Sequence, residues 1–242
     1  IDRNWDKQSY KGVVWNSVVV YGLRDGNPKK IKGWNDLLRP GVQVVTVNPF
    51  TGGIAKWNIL ASYVAQRRLG KTDAQALDWL RRFYKNNVVS QDSSGSNATN
   101  TFLSGKGDVL LTFESEAING KLPYVIPRQT MLIDVYIAAI KSSQHKAEWT
   151  AFSRFLKTYP AQKILAQNGY RPVNKQALAE FKSKYPTRPG ESRRSFTIQS
   201  HAPRTSALSR MPPLCRPPVR PESPWLRRSM ARTEKPWRWS IP

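Results

Sequence analysis

The sequence predicts an α/β protein with a parallel sheet covered by helices on both faces. Segments 42–47 (VQVVTV) and 108–113 (DVLLTF) are mostly apolar, which is typical of strands that are buried on both sides. Helical patterns lie between these segments and give the order β-α-α-β-α-β. An apolar content of 39% in 242 residues is enough to fill a core of this kind.

The first part of the chain adds a strand and a pair of helices to this outline. Residues 13–23 (VVWNSVVVYGL) form an apolar, β-branched run that predicts a buried strand. A short helix is predicted at 34–38, before the strand at 42–47. Apolar residues then recur at helical spacing over 55–69, and Gly70 is predicted to end that helix.

The next helix begins with a recognisable capping signal. Thr72 precedes it and Gln75 follows three positions later, as in a capping box. Apolar runs and turn residues predict the elements that follow, which are a strand at 88–91, a polar stretch at 92–97, a short helix at 98–105, a strand pair within 124–140, and helices at 146–158, 160–168 and 174–182.

The composition changes after Ile198. Residues 199–242 hold nine of the 18 prolines, show no hydrophobic periodicity and carry their positive charge almost wholly as arginine. Such a segment buries too little apolar surface to offset the entropy of ordering, so we expect a disordered basic tail. A shifted reading frame is the preferred explanation for this change.

The composition also limits the kinds of chemistry available. One cysteine, Cys215, excludes an internal disulfide and a cysteine-based metal cluster, and two histidines leave little room for a zinc site or a histidine-based triad. The formal net charge of +23 raises the possibility of nucleic-acid binding. However, the basic residues of 1–198 are spread out, without the interleaved aromatics of a nucleic-acid groove.

Two polar loops are candidates for ligand binding. Thr51-Gly52-Gly53-Ile54 lies between a predicted strand and a helix, where exposed backbone N–H groups and the helix dipole favour an anion. Ser94-Gly95 lies in a second loop of this kind, at the carboxyl end of the strand 88–91. Each loop alone is more typical of an ordinary βα turn or helix cap, but two on neighbouring strands strengthen the case for a shared site.

Two carboxylates follow the strand 108–113. Glu114 and Glu116 raise the possibility of acid–base catalysis, but they face opposite ways if the strand continues. No serine–histidine or cysteine–histidine pair accompanies them in the sequence. We therefore interpret them as solvated or salt-bridged side chains and predict that the protein is not an enzyme and needs no cofactor or metal.

Four segments carry a family resemblance. They read GNPKKIKGWNDLLRPGVQVVTVNP (26–49), AKWNILASYVAQ (55–66), NATNTFLSGKGDVLLTFESEA (97–117) and NGYRPVN (168–174). In this order and spacing the chain resembles the sulfate/thiosulfate-binding proteins of ABC importers. The resemblance runs from residue 1 to Ile198, about four-fifths of the chain.

The resemblance implies a two-lobed, type II periplasmic-binding-protein fold with an incomplete first lobe. Residues 1–23 would be a remnant of the first lobe and a crossover strand, and 24–123 would be the second lobe. Residues 124–198 would return to the first lobe, followed by the basic tail 199–242. The family's opening βαβ units would precede Ile1, so one wall of the cleft is expected to be missing.

The resemblance also implies a ligand and the residues that bind it. The family pattern Ser-Gly-Gly-Ala-Arg-Trp-Asn falls on residues 52–58, so the serine hydroxyl is absent at Gly52, whereas Gly53 and Ile54 keep their N–H groups. Thr51 substitutes for that hydroxyl only if its side chain turns inward. A further N–H donor maps to Gly95, beside Ser94. An indole donor of the family maps to Phe113, which cannot donate.

The implied function is extracytoplasmic binding of sulfate or thiosulfate for delivery to ABC permease subunits in the inner membrane. A periplasmic location and a monomeric state are expected, with the export signal missing from this chain. A receptor for molybdate, phosphate or a polyamine is the first alternative, although a polyamine site would need more carboxylates. A basic nucleic-acid-binding protein is the alternative from another class.

Overall fold

A computed structural model describes residues 1, 5, 7 and 9–185 of the chain. Seven strands form one sheet, namely β1 (Val13–Leu23), β2 (Val44–Val47), β3 (Val88–Asp92), β4 (Val109–Phe113), β5 (Tyr124–Val125), β6 (Leu132–Tyr136) and β7 (Arg171–Pro172). The helices are α1 (Gly53–Arg68), α2 (Asp73–Asn86), α3 (Gly95–Leu103), α4 (Glu114–Asn119), α5 (Lys146–Phe155), α6 (Tyr159–Gln167) and α7 (Lys175–Glu180). Short 3₁₀ segments cover Ser9–Gly12 and Trp34–Leu38.

The sheet is parallel in one part and antiparallel around β1. Its main path runs β3-β2-β4-β1-β5, and β2 is parallel to both β3 and β4. Strand β1 is antiparallel to β4 and β5 through its second half, and to β6 and β7 through its first half. The predicted parallel sheet is therefore confirmed for β2, β3 and β4, whereas β1, for which no direction was predicted, is antiparallel to its neighbours. The apolar pattern does not encode strand direction, because a strand buried on both faces is equally apolar in a parallel and in an antiparallel sheet.

The strand pair predicted within 124–140 is present as β5 and β6. Strands β5 and β6 do not face each other as a hairpin; each pairs with β1, at Tyr21–Gly22 and at Val13–Val18 respectively. The long β1 thus pairs with β4, β5, β6 and β7. The predicted tail 199–242 and the final residues of the segment 124–198 lie outside the described residues.

Aromatic side chains fill the core between the sheet and the helices α1 and α2. Trp34, Trp79 and Phe83 are fully buried there, as is Tyr21 of β1. Tyr21 and Trp34 meet edge to face at 5.3 Å, and Trp79 stacks on Phe83 at 5.1 Å. Trp34 and Trp79 are therefore packing residues of this core.

Local signals place most helix ends. The Thr72 hydroxyl accepts from the Gln75 N–H and the Gln75 side chain accepts from the Thr72 N–H, so the predicted capping box is confirmed. Gly70 has a φ of +85°, as expected of a residue that ends a helix. Helix α3, predicted from residue 98, begins earlier at Gly95, because Ser94 caps it by accepting from the Asn97 N–H.

A buried amide joins two of the parallel strands beneath the ends that carry the candidate loops. Asn58 on α1 is fully buried, and its Nδ2 donates to the Thr46 hydroxyl of β2 at 3.1 Å and to the Leu111 carbonyl of β4 at 2.8 Å. The Thr46 hydroxyl in turn donates to the same carbonyl at 3.2 Å. Asn58 therefore fixes the start of α1 relative to both strands.

Replacing Asn58 by alanine should lower the free energy of unfolding by about 1–3 kcal/mol, because the Leu111 carbonyl loses a buried donor. Urea unfolding followed by circular dichroism would measure the loss. Asn100→Ala, at an exposed position of α3, is the matched control and should change stability by less than about 0.5 kcal/mol. Equal effects of the two substitutions would contradict a clamping role for Asn58.

Candidate anion site at two helix N-termini

The carboxyl ends of β2 and β3 are level with each other. Val47 pairs with Asp92 in the parallel register, and the Asn48 N–H donates to the Asp92 carbonyl at 2.7 Å. Helices α1 and α3 begin a few residues after these ends, at Gly53 and Gly95. The two loops that the sequence singled out are therefore neighbours at one edge of the sheet.

The turn before α1 uses most of its own N–H groups. The Asn48 carbonyl accepts from the N–H groups of Thr51 and Gly52, and the Asn48 side-chain oxygen accepts from the Phe50 N–H at 2.9 Å. The N–H groups of the first helical residues, Gly53 and Ile54, have no carbonyl partner inside a helix. These two are the donors that the turn leaves for a ligand.

Thr51 connects the two loops. Its exposed hydroxyl donates to the Ser93 carbonyl at 2.9 Å, and the Asn48 carbonyl lies at 3.4 Å from the same oxygen. A hydroxyl has a single proton, so this bond removes Thr51 as a donor to an anion in this arrangement. The proposed inward rotation of Thr51 would require the bond between the loops to break.

Gly52 lies too close to the sheet to carry a side chain without rearrangement. A Cβ atom there would be 2.2 Å from Cγ1 of Val47, well inside contact distance. Gly52 caps α1 through its extended backbone alone, with no side-chain hydrogen bond. The serine expected at this position from the family pattern would fit only if Val47 moved.

Gly95 is the buried contact point between the two helix starts. A Cβ atom on Gly95 would lie 2.6 Å from Cδ1 of Ile54, so glycine allows α1 and α3 to approach closely. Gly95 is the first residue of α3, so its N–H has no intrahelical partner. The hydroxyl and the carbonyl of Ser94 accept from the N–H groups of Asn97 and Ala98, respectively. Neither helix has an acidic residue in its first turn, so both helix dipoles favour an anion.

Phe113, Glu114 and Glu116 lie where β4 meets α4, and Glu116 lies close to Gly95. Phe113 ends β4 and precedes α4, and its half-buried ring packs against the core shared with α1 and α2. Glu114 and Glu116 occupy the first turn of α4, so the strand does not continue through them. The short helix α4 has little hydrophobic pattern of its own, which is why periodicity did not reveal it.

Glu114 forms a buried ion pair with Arg171. Arg171 Nε lies 2.7 Å from Glu114 Oε2, and Nη2 lies 3.0 Å from Oε1, in a bidentate arrangement. The Tyr124 hydroxyl approaches Oε1 at 3.4 Å, and burial, with the nearby Glu114 charge, raises the pKa of Tyr124 to about 12. Glu114 is therefore salt-bridged, one of the two states interpreted from the sequence, and its partner Arg171 was not identified there.

A separate cleft of about 370 Å³ lies against β1 and α7, lined in part by Asn16, Leu132, Lys175, Lys182 and Tyr185. It shares no residue with the two loops, and its lining mixes apolar side chains such as Leu178 with polar and charged ones, among them Arg171. In the described part of the chain, no group of three or more metal-ligating side chains comes together. No helix among the described residues is long and apolar enough to cross a bilayer.

Comparison with known proteins identifies the family. A family model for bacterial extracellular solute-binding proteins matches residues 4–171. The solved sulfate-binding protein SubI from Mycobacterium tuberculosis H37Rv is 39% identical, with a TM-score of 0.72 over 78% of this chain and 68% of its own. This chain belongs to the bacterial extracellular solute-binding proteins.

Two curated relatives support the same assignment. The sulfate-binding protein of Escherichia coli is 34% identical over 202 residues, which cover 77% of this chain and 60% of the relative. The sulfate-binding protein of Synechococcus elongatus is 38% identical over 197 residues, which cover 75% of this chain and 56% of the relative. This solute-binding protein therefore spans less than two thirds of the length of these relatives.

Removing one partner of the buried Glu114–Arg171 pair should strongly destabilise this solute-binding protein. Arg171→Met should cost about 3–5 kcal/mol, because it leaves a buried carboxylate without its partner. The double variant Glu114→Met/Arg171→Met should lose less than the sum of the two single variants. A double-mutant cycle from urea unfolding would measure this coupling.

The exposed pair Asp78–Arg82, at 2.9 Å, provides the matched control. The same cycle on this pair should give a coupling energy below about 1 kcal/mol. Additive single-variant effects at Glu114 and Arg171 would contradict the role assigned to the buried pair.

Proposed function

We propose that this protein binds a doubly charged tetrahedral oxyanion, sulfate or thiosulfate, outside the cytoplasm and delivers it to the membrane subunits of an ABC importer. The observation that supports this most directly is the meeting of the α1 and α3 starts at the contact between Ile54 and Gly95. The N–H groups of Gly53, Ile54 and Gly95 would donate to the anion. The relatives named sulfate-binding protein support the choice of ligand.

Neutral donors are sufficient for such a ligand. Each helix start carries about half a positive charge from its aligned peptide dipoles, and two such ends oppose the charge of a dianion. A hydrogen bond to a charged group contributes about 1.5–3 kcal/mol, so each retained N–H has a measurable effect on affinity. Phe113 and Gly52 supply no side-chain donor, so backbone groups would carry most of the binding on this side of the ligand.

The proposed lobes follow from the same assignment. Residues 1–23 would end the first lobe and cross over, 24–123 would form the second lobe with both donor loops, and 124–198 would return to the first. In the sheet, β1 pairs with β4 through its second half and with β6 through its first. Because β1 would belong to both lobes, it could serve as part of a hinge about which the lobes close on a ligand. We propose that the protein acts as a monomeric carrier, with no catalytic step.

Sulfate should shift the backbone amide signals of Gly53, Ile54 and Gly95 in nuclear magnetic resonance spectra of the 242-residue chain. The titration should be done at constant ionic strength against chloride, since only direct N–H contact displaces these signals selectively. Thiosulfate, molybdate and phosphate, titrated in parallel, would rank the oxyanions.

The variant Gly95→Ala should weaken sulfate binding by about ten- to a hundredfold, the equivalent of one lost hydrogen bond to a charged ligand. Its Cβ would push Ile54 away and separate the two helix starts. Gly33→Ala is the matched control, because a Cβ there meets no atom within 4 Å. Sulfate shifts spread evenly over the surface lysines, and equal in both variants, would refute the site.

A further inference from the structure

A carboxylate stands against the contact between the two helix starts. A Cβ atom built on Gly95 would lie 3.1 Å from Cδ and 3.2 Å from Oε1 of Glu116, on the same side as Ile54. Glu116 belongs to the first turn of α4, so a third element approaches the loops that hold the proposed donors. Any anion held by the Gly95 N–H would therefore have a glutamate as a close neighbour.

Nothing in the described part of the chain neutralises this glutamate. No described residue forms a hydrogen bond or an ion pair with the Glu116 carboxylate. Helix α3 contains no charged residue, and the nearest cation along α1 is Lys56, which is exposed. On α4 itself, Glu114 holds Arg171 through both carboxylate oxygens.

The remaining acid near the loops is Asp92, at the end of β3. Its carboxylate accepts from the Ser90 hydroxyl at 3.1 Å and from the Thr101 hydroxyl at 2.9 Å, so its charge is stabilised locally. Glu116 has no comparable partner. Partial burial accordingly raises the pKa of Glu116 above its ordinary value.

We propose that Glu116 makes anion binding by this protein proton-linked, so that the dianion binds preferentially when the Glu116 carboxyl is protonated. This inference rests on the proposed function, because it concerns the same site. An ionised Glu116 would place a third negative charge beside a dianion. A protonated Glu116 removes that repulsion and adds an O–H group that can donate to the ligand.

The direction of the pH effect follows from linkage. A bound dianion raises the pKa of Glu116 further than burial alone, so binding takes up a proton. Affinity should then rise as pH falls from the Glu116 pKa of the complex to that of the free protein. Within this window the change approaches tenfold per pH unit, and outside it the affinity is constant.

The experiment measures sulfate affinity by calorimetry between about pH 5 and pH 8, where sulfate keeps a constant charge. The wild-type chain should lose affinity as pH rises. Glu116→Gln keeps the size of the side chain and removes the titration, so its affinity should be independent of pH and higher than wild type at the alkaline end. Asp25→Asn, an exposed acid after β1 at the opposite end of the sheet, should behave like wild type.

Each result decides the question. A sloping wild-type profile that Glu116→Gln flattens supports the proton link, and repeating the titrations in buffers of different ionisation enthalpy should show the proton uptake directly. Sulfate binding by wild type with a flat profile, or an equal slope in Glu116→Gln, overturns the role of Glu116 and leaves the anion site intact. Absence of sulfate binding in every variant at every pH overturns the anion site and this inference together.

Discussion

The candidate site depends on one constraint: the parallel strands β2 and β3 end at the same height at one edge of the sheet. The pairing of Val47 with Asp92 brings two strand-to-helix loops to one edge of the sheet, and the Thr51–Ser93 hydrogen bond joins them. Each helix alone offers a weak, fractional charge at its start. Their contact at Gly95 is what allows donors from two directions to reach one small ion.

Buried polar groups hold this edge in place. Asn58 ties α1 to β2 and β4 below the loops, and the Glu114–Arg171 pair fixes α4 against the segment that carries β7. Because an unpaired polar group in the core costs more than a paired one gains, these contacts favour one arrangement over near alternatives. The site is thus positioned by groups that never touch the proposed ligand.

The same edge combines attraction and repulsion for an anion. The donors at Gly53, Ile54 and Gly95 are neutral, whereas the neighbouring Glu116 is acidic and lacks a partner among the described residues. A site of neutral dipoles alone would respond little to pH. The proposed proton link at Glu116 would couple ligand affinity to proton concentration, which a site of helix dipoles alone would not do.

The sequence predicted the helix caps, turns and buried strands that depend only on neighbouring residues. The Thr72–Gln75 capping box, the stop at Gly70, the buried run 13–23 and the Gly52-Gly53 turn follow from backbone preferences of neighbouring residues. Tertiary structure decided the rest: the antiparallel direction of β1, the helix α4, and the long-range partners Glu114–Arg171 and Gly95–Glu116. Strand direction and contacts between distant residues depend on which surfaces fit together, and no periodic pattern in a single segment encodes that choice.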